Sequence, residues 1–126
     1  MKKFISLFVV FCLASFLLCQ GSWVKEGFYS ISKAVEKLNS LSERDSLSAK
    51  FMTPTEYGSD NCYLFYQDKG KGLERSGLIW TYKEFSWPNL VREFLDDLPR
   101  ERAREAKLIR PNMGRNDYFV VYRFKK

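Results

Sequence analysis

The pattern of hydrophobic residues changes along the chain, and its first part predicts an export signal. Two lysines at the N-terminus precede residues 4–18, which contain no charge, and Cys-Gln-Gly at 19–21 ends the run with small and polar groups. A basic start, a short apolar stretch and a small-residue end are the layout of a secretory signal peptide. A membrane-spanning helix needs about 20 apolar residues, so this run is short for an anchor. We therefore expect residues 1–21 to be removed and residues 22–126 to be exported.

The end of this leader also allows a second interpretation. Leu17-Leu18-Cys19 resembles a bacterial lipobox, in which the cysteine is acylated and becomes the mature N-terminus. The resemblance covers the leader alone, and Leu18 stands where the lipobox has a small residue. We expect cleavage after Gly21, and we keep an acylated Cys19, which would anchor the protein to a membrane, as the alternative. An uncleaved signal anchor is the third interpretation.

Beyond the leader, apolar residues at spacings of three and four predict two helices. The first stripe predicts a helix over residues 23–41, or one that begins nearer Phe28 because Gly27 weakens the first turn. Residues 42–46 either continue this helix or form a second short helix. Another stripe begins after Ser86, which is expected to cap a helix with Pro88 in its first turn. Pro99 is expected to kink or restart this second helix, because proline cannot continue the hydrogen-bond ladder.

Segments rich in aromatic and branched side chains predict three strands, over residues 62–67, 78–85 and 118–124. The polar, glycine-containing segment 68–77 predicts that the first two strands form a hairpin. The last strand is too apolar for a bare edge, so we expect it in the sheet centre. The predicted fold is a single small α+β domain of order α-β-β-α-β without an internal repeat. It has a three- or four-stranded, mainly antiparallel sheet with two helices packed on one face.

Composition excludes several kinds of chemistry. The chain contains no histidine, which removes the usual general base and the commonest metal ligand. Only Cys62 surely remains after leader removal, which excludes a disulfide scaffold and a zinc site, and we expect this thiol to be buried. Asp96 and Asp97 are adjacent on a predicted helix and point in different directions, so we interpret them as surface charges. We expect no cofactor and no metal.

Charge gives a modest basic bias. Loss of Lys2 and Lys3 with the leader lowers the net charge from +6 to +4 on 105 residues, a length that suits one domain. This excess is too small to favour a nucleic-acid partner. We expect no transmembrane span in the mature chain.

The basic residues near the C-terminus form the first candidate binding site. Arg100, Arg104 and Lys107 fall on one predicted helix face, and Arg110 and Arg115 follow in the next loop. Guanidinium groups suit phosphate or carboxylate partners. Glutamates alternate with these cations, so ordinary salt bridges on a solvated helix face are the simpler interpretation.

Aromatic residues form the second candidate site, since they make up 17% of the chain. Trp80 and Tyr82 alternate with Ile79 and Thr81 along a predicted strand, so the two pairs face opposite sides of the sheet. If the helices cover the Ile79 side, then Trp80 and Tyr82 lie on an exposed face that would bind a partner.

These observations predict a small binding protein without catalytic activity. We expect it to be exported, so that it is either secreted or periplasmic. Its partner is expected to be a protein or an anionic envelope component, either lipid or polysaccharide. Contact would involve the aromatic residues Trp80 and Tyr82 and the basic segment 100–115. The alternatives are an exported enzyme, a hydrolase or toxin that uses carboxylate, lysine or tyrosine chemistry, and a lipid-anchored envelope lipoprotein.

Overall fold

Ten helices and strands make up the part of the chain that the computed structural model describes, residues 22–54, 60–69, 76–110 and 117–125. In chain order they are β1 (Trp23–Phe28), α1 (Ile31–Ser40), α2 (Glu43–Ser48), β2 (Lys50–Met52), β3 (Cys62–Gln67), β4 (Leu78–Phe85), α3 (Pro88–Asp97), α4 (Arg100–Glu105), β5 (Lys107–Ile109) and β6 (Tyr118–Lys125). The predicted leader 1–21, with Cys19, lies outside these residues, so export and lipidation stay predictions.

The strands form two antiparallel sheets of three strands each, in the orders β1-β3-β2 and β4-β6-β5. The α+β class is confirmed, whereas the predicted single sheet with two helices is replaced by two sheets and four helices. Residues 62–67 and 78–85 are strands as predicted, but they lie in different sheets, so the predicted hairpin between them was wrong. The central strands of the two sheets are β3 and β6. The central position of β6 confirms the prediction for residues 118–124.

The segment predicted as one helix over 23–41 is a strand followed by a helix. Ser30 separates them, because its backbone is extended and its Oγ accepts a hydrogen bond from the Lys33 N–H at 3.3 Å, which caps α1. Val24 and Phe28 are four residues apart, a spacing that places two residues on one face of a helix and also on one face of a strand. The sequence pattern alone therefore did not separate the two structures.

The remaining helices follow the prolines and serines of the sequence. Ser42 caps α2, which is the separate short helix that was one of the two predictions for this segment. Pro99 divides the second helical region into α3 and α4, as expected. Ser86 is not a cap: Trp87 occupies that position without a side-chain hydrogen bond, and Pro88 begins the helix.

The same order of elements, β-α-α-β-β, occurs twice along the chain. The helices α3 and α4 and the strand β5 each start 57 residues after their counterparts α1, α2 and β2, and they have the same lengths. The prediction of no internal repeat was therefore wrong. We call β1 to β3 the first repeat and β4 to β6 the second repeat.

Several residues are identical at equivalent positions of the two repeats. They are Trp23 and Trp80, Phe28 and Phe85, Glu36 and Glu93, Leu38 and Leu95, Leu41 and Leu98, Ala49 and Ala106, and Lys50 and Lys107. In the central strand the equivalence shifts by one residue, because Trp23 pairs with Gln67 while Trp80 pairs with Arg123. Gln67 and Arg123 are therefore equivalent in the sheets.

The main core lies between the two repeats. Helix α1 buries Ile31, Ala34, Val35 and Leu38 in a cluster that contains residues of both sheets, including Leu64 and Val121. Asn39, on the same helix, donates to the Trp80 carbonyl at 3.0 Å and accepts from the Trp80 N–H at 2.8 Å. These two bonds satisfy backbone groups on the outer edge of β4, which is an edge strand. The helix of the first repeat thus holds the second repeat in place.

Replacement of Leu38 by alanine tests this core. Leu38 is 0% exposed, so Leu38→Ala is expected to lower the free energy of unfolding by about 2–5 kcal/mol through lost burial and a cavity. The matched control, Leu90→Ala, truncates a leucine that is 41% exposed and should change stability by no more than about 0.5 kcal/mol. Urea unfolding followed by circular dichroism measures both. Equal effects of the two variants would contradict the assigned core.

Candidate binding cleft

The predicted basic residues do not share one helix face. Arg100 and Arg104 are exposed on α4, but this helix ends at Glu105, so Lys107 lies in β5 and Arg110 follows that strand. Arg115 lies outside the described residues. Lys107 is half-buried and points into the protein, in contrast to the arginines of α4. The structure therefore separates Lys107 from the surface cations with which it was grouped.

The two predicted aromatic contacts differ in exposure. Trp80 is only 4% exposed and belongs to the core, whereas Tyr82, on the same face of β4, is 39% exposed. The expected exposed row of Trp80 and Tyr82 is therefore corrected: the first repeat covers the Trp80 end of this face. The sequence left open which face the helices cover, and the structure places Trp80 between the repeats.

The contact around Trp80 joins the two repeats, and we call it the Trp80 joint. Its indole Nε1–H donates to Ser46 Oγ at 2.9 Å, and Lys107 Nζ lies 5.1 Å from the ring centroid. The same Nζ donates to the carbonyl oxygens of Leu47 at 3.0 Å and Ala49 at 2.6 Å. These carbonyls belong to the C-terminal end of α2, where a positive charge is favourable.

Arg123 completes the Trp80 joint with two ion pairs, one of which crosses between the repeats. Its guanidinium lies 5.8 Å from the Trp80 ring centroid and pairs with Glu43 of the first repeat and Glu105 of the second. Hydrogen bonds from Arg123 and then from Ser76 lower the pKa of the Glu43 carboxyl below its ordinary value of 4.5. Hydrogen bonding to Glu105 raises the pKa of Arg123. The buried cation is thus neutralised by two carboxylates.

Lys107 has the most perturbed amine among the described residues. Burial is the largest cause, and it lowers the pKa of Lys107 from 10.5 to about 8, with a further contribution from the positive charge of Lys50. Its hydrogen bonds to two carbonyl oxygens hold the amine in the joint. Lys107 is therefore a structural cation close to a cleft and does not present its amine to solvent.

An open cleft of about 680 Å³ lies next to the Trp80 joint. Its walls come from equivalent segments of the two repeats, namely residues 47–51 and 104–108, together with Trp23. The strands β2 and β5, which belong to these two segments, contact each other, and Thr53 Oγ1 donates to the Arg110 carbonyl at 2.7 Å just beyond them. Two equivalent segments thus meet to make the cleft.

The cleft combines aromatic and cationic side chains. Trp23 is 51% exposed, Phe51 is half-buried, and Lys50 and Arg104 are exposed. Glu105 also lines the cleft, but its carboxylate is held by Arg123 and by Arg102. Lys50 and Arg104 are therefore the charged side chains of the cleft that remain exposed to solvent. An anion is the kind of ligand that this wall favours.

The other candidate residues stay outside this cleft. Cys62 is buried, as predicted, and burial raises the pKa of its thiol to about 11. Asp96 and Asp97 are exposed on α3, which agrees with the surface role expected from the sequence. Within residues 22–54, 60–69, 76–110 and 117–125, no group of three cysteine or acidic side chains is arranged to hold a metal ion.

Comparison with known proteins gives no relative for this chain. No family model matches the sequence. Neither the curated proteins nor the solved structures give a significant match. None of the helices in the described part of the chain is long and apolar enough to cross a membrane.

Sequence reasoning missed Trp23, Lys50 and Phe51 as cleft residues. Trp23 had been placed in a helix, and Lys50 lies in a strand of three residues that is too short to show a period. One signal was available: tryptophan and lysine recur 57 residues later, at Trp80 and Lys107. Recurrence at a constant spacing indicates a duplication, and it would have drawn attention to these residues.

Acid titration of stability tests the Arg123 ion pairs. The folded-state pKa of Glu43 is lowered, so its contribution to stability is present above pH 4.5 and is lost as pH falls below that value. Glu43→Gln should therefore be less stable than the natural protein at pH 7, and the gap should shrink toward pH 3. Glu36→Gln, in an exposed pair with Lys33, is the control and should change little at either pH. A gap for Glu43→Gln that stays constant with pH would contradict the assigned ion pair.

Stability at alkaline pH tests the burial of Lys107. Its folded-state pKa is about 8 and its ordinary value is 10.5, so the unfolded chain binds more protons between these pH values. The free energy of unfolding should gain a contribution that rises from pH 8 to pH 10.5, and Lys107→Met should lack it. Lys33→Met, which replaces an exposed lysine, should retain this rise. Urea unfolding at several pH values measures the slopes, and equal slopes for both variants would refute the interpretation.

Proposed function

We propose that the protein is an exported, non-catalytic binding protein that acts on a negatively charged partner. The partner is an anionic component of the cell envelope. The observation that supports this function is the open cleft between the repeats, which exposes Trp23 beside the cations Lys50 and Arg104. Binding sites that combine a flat apolar surface with a few charged groups at the edge give both affinity and orientation.

The surface next to the cleft extends this positive character. Arg100 is exposed one helical turn before Arg104 on α4, and Arg110 is exposed just after β5. Lys50 and Arg104 line the cleft, Arg100 lies on the same helix as Arg104, and Arg110 follows the strand β5 that contributes to the cleft. We call these four residues the basic side. A partner with many negative charges would contact the basic side first and then the cleft, because long-range attraction acts before close contact.

Two residues of the sequence-based prediction keep a different role in this proposal. Trp80 and Lys107 lie inside the joint, and Lys107 also lines the cleft. Tyr82 is partly exposed on β4 and stays a candidate contact. Export depends on the predicted leader, and the alternative of an acylated Cys19 would place the same basic side at a membrane surface.

Removal of two charges from the basic side tests the proposed function. Purified protein should bind vesicles of phosphatidylglycerol more tightly than vesicles of phosphatidylcholine, and the affinity should fall as salt rises from 50 to 500 mM. Arg100→Ala combined with Arg104→Ala should weaken binding about 30-fold at low salt, since each cation near an anionic surface contributes about 1 kcal/mol. Vesicle sedimentation measures these affinities, and an acidic polysaccharide in place of the vesicles tests the second envelope component.

The matched control removes two cations elsewhere on the molecule. Lys33→Ala combined with Arg92→Ala changes the net charge equally, and both side chains are exposed on other helices. This variant should weaken binding much less. If both double variants bind equally well, or if neither anionic partner binds in a salt-dependent way, the proposed function is wrong.

A further inference from the structure

The two repeats differ in the surroundings of one tryptophan–lysine pair. In the second repeat this pair is packed against a helix end, whereas in the first repeat it lines the open cleft. Trp80 and Lys107 of the second repeat pack on the C-terminal end of α2, in the Trp80 joint. Their identical counterparts, Trp23 and Lys50, line the cleft opposite Arg104 and Ala106 at the end of α4. The cleft therefore occupies the position of a second joint that is not formed.

The residues that satisfy the Trp80 joint are replaced around the cleft. Ser46, which accepts the hydrogen bond of the Trp80 indole, corresponds to Ala103, which has no side-chain acceptor. In the joint two acidic residues neutralise Arg123, and at the equivalent positions both acids and the arginine, which corresponds to Gln67, are lost. Glu43 corresponds to Arg100, and Glu105 corresponds to Ser48.

These replacements make the net charge around the cleft more positive than the net charge of the Trp80 joint. The joint contains two cations, Lys107 and Arg123, and two carboxylates that pair with Arg123. At the equivalent positions around the cleft, Lys50 is retained, Gln67 replaces Arg123, and Arg100 and Ser48 replace the two acids. These positions therefore carry two positive charges and no carboxylate, and the exposed Arg104 adds a third cation. Lys50 forms no ion pair with any of the described residues. Glu105 is the one acid among the described residues that line the cleft, and its carboxylate is paired with Arg123 and Arg102. The cleft thus lacks an acid that could pair with Lys50 and Arg104, and it lacks the hydrogen-bond acceptor that completes the joint.

We propose that the cleft binds an amphipathic ligand with an oxyanion, either a carboxylate or a phosphate, attached to a flat apolar group. The oxyanion lies between Lys50 and Arg104 and supplies the negative charge that these two cations lack. The apolar group stacks on Trp23, whose indole N–H donates to an acceptor of the ligand. This inference rests on the proposed function, because it names the chemical class that the same side of the molecule recognises.

The strengths of the expected hydrogen bonds and stacking contacts, and the volume of the cleft, suit such a ligand. Hydrogen bonds between cations and oxyanions are about twice as strong as neutral ones, and a guanidinium can bind both oxygens of a carboxylate. Stacking on an indole adds about 0.5–1.5 kcal/mol beyond the area that it buries. A cleft of about 680 Å³ is in the size range of small-molecule sites.

Titration with 2-naphthoate tests the inference, with 2-naphthamide as the neutral analogue and inorganic phosphate as the anion without an apolar group. The protein has three tryptophans, so nuclear magnetic resonance of the indole N–H groups reports each one separately. We expect 2-naphthoate to shift the Trp23 signal and to leave those of Trp80 and Trp87 in place. Phosphate should shift the same signal with at least tenfold weaker affinity, and 2-naphthamide should bind at least tenfold more weakly than 2-naphthoate.

Two kinds of variant then assign the site. Lys50→Ala should weaken 2-naphthoate binding at least tenfold, whereas Lys33→Ala, an exposed lysine on α1, should leave it unchanged. Ser48→Glu combined with Arg100→Glu restores the two acids of the joint, and this variant should lose binding because its own carboxylates compete with the ligand. Circular dichroism of each variant shows that the fold is retained.

Several results would overturn the inference. They are an unshifted Trp23 signal, equal binding of 2-naphthamide and 2-naphthoate, equal binding of phosphate and 2-naphthoate, or an unchanged affinity in a folded Lys50→Ala variant. Arg104 belongs to both proposed contacts, but the two experiments are separate because one measures salt-dependent binding to vesicles and the other measures 2-naphthoate at the Trp23 signal. If vesicles bind and 2-naphthoate does not, the cleft inference alone fails. If 2-naphthoate binds in the cleft and neither anionic partner binds, the proposed function alone fails.

Discussion

Burial of Trp80 between the two repeats is the interaction on which the rest of the structure depends. The indole donates to Ser46, Asn39 of α1 holds both backbone groups of the same residue, and Arg123 crosses from one repeat to the acid of the other. A large aromatic side chain excludes water, and the polar groups around it are satisfied, so these contacts reinforce each other. They set how the second repeat lies on the first.

The β-α-α-β-β unit occurs twice in this fold, but the equivalent tryptophan–lysine pairs of the two repeats have different surroundings. Trp80 and Lys107 are packed in the joint, while Trp23 and Lys50 face an open cleft. Substitutions at a few positions separate the two outcomes, because they remove acceptors and negative charges from one place only.

Local sequence signals predicted the separate elements better than their arrangement. The strands at 62–67 and 78–85 have the predicted bounds, and Pro99 restarts a helix as expected. The strands β1, β2 and β5 were missed. Two of them have three residues each, too few to show alternation, and in β1 the spacing of Val24 and Phe28 fits a helix equally well.

The sequence by itself determined the α+β class, the buried thiol of Cys62, the basic character of α4 and the tryptophan–lysine pair that recurs after 57 residues. It did not determine which strands pair, because strands that are adjacent in sequence, such as β3 and β4, lie in different sheets. Tertiary structure also decided that Trp80 is buried while Trp23 is exposed. The physical reason is that burial depends on what packs against a side chain, and identical residues met different neighbours in the two repeats.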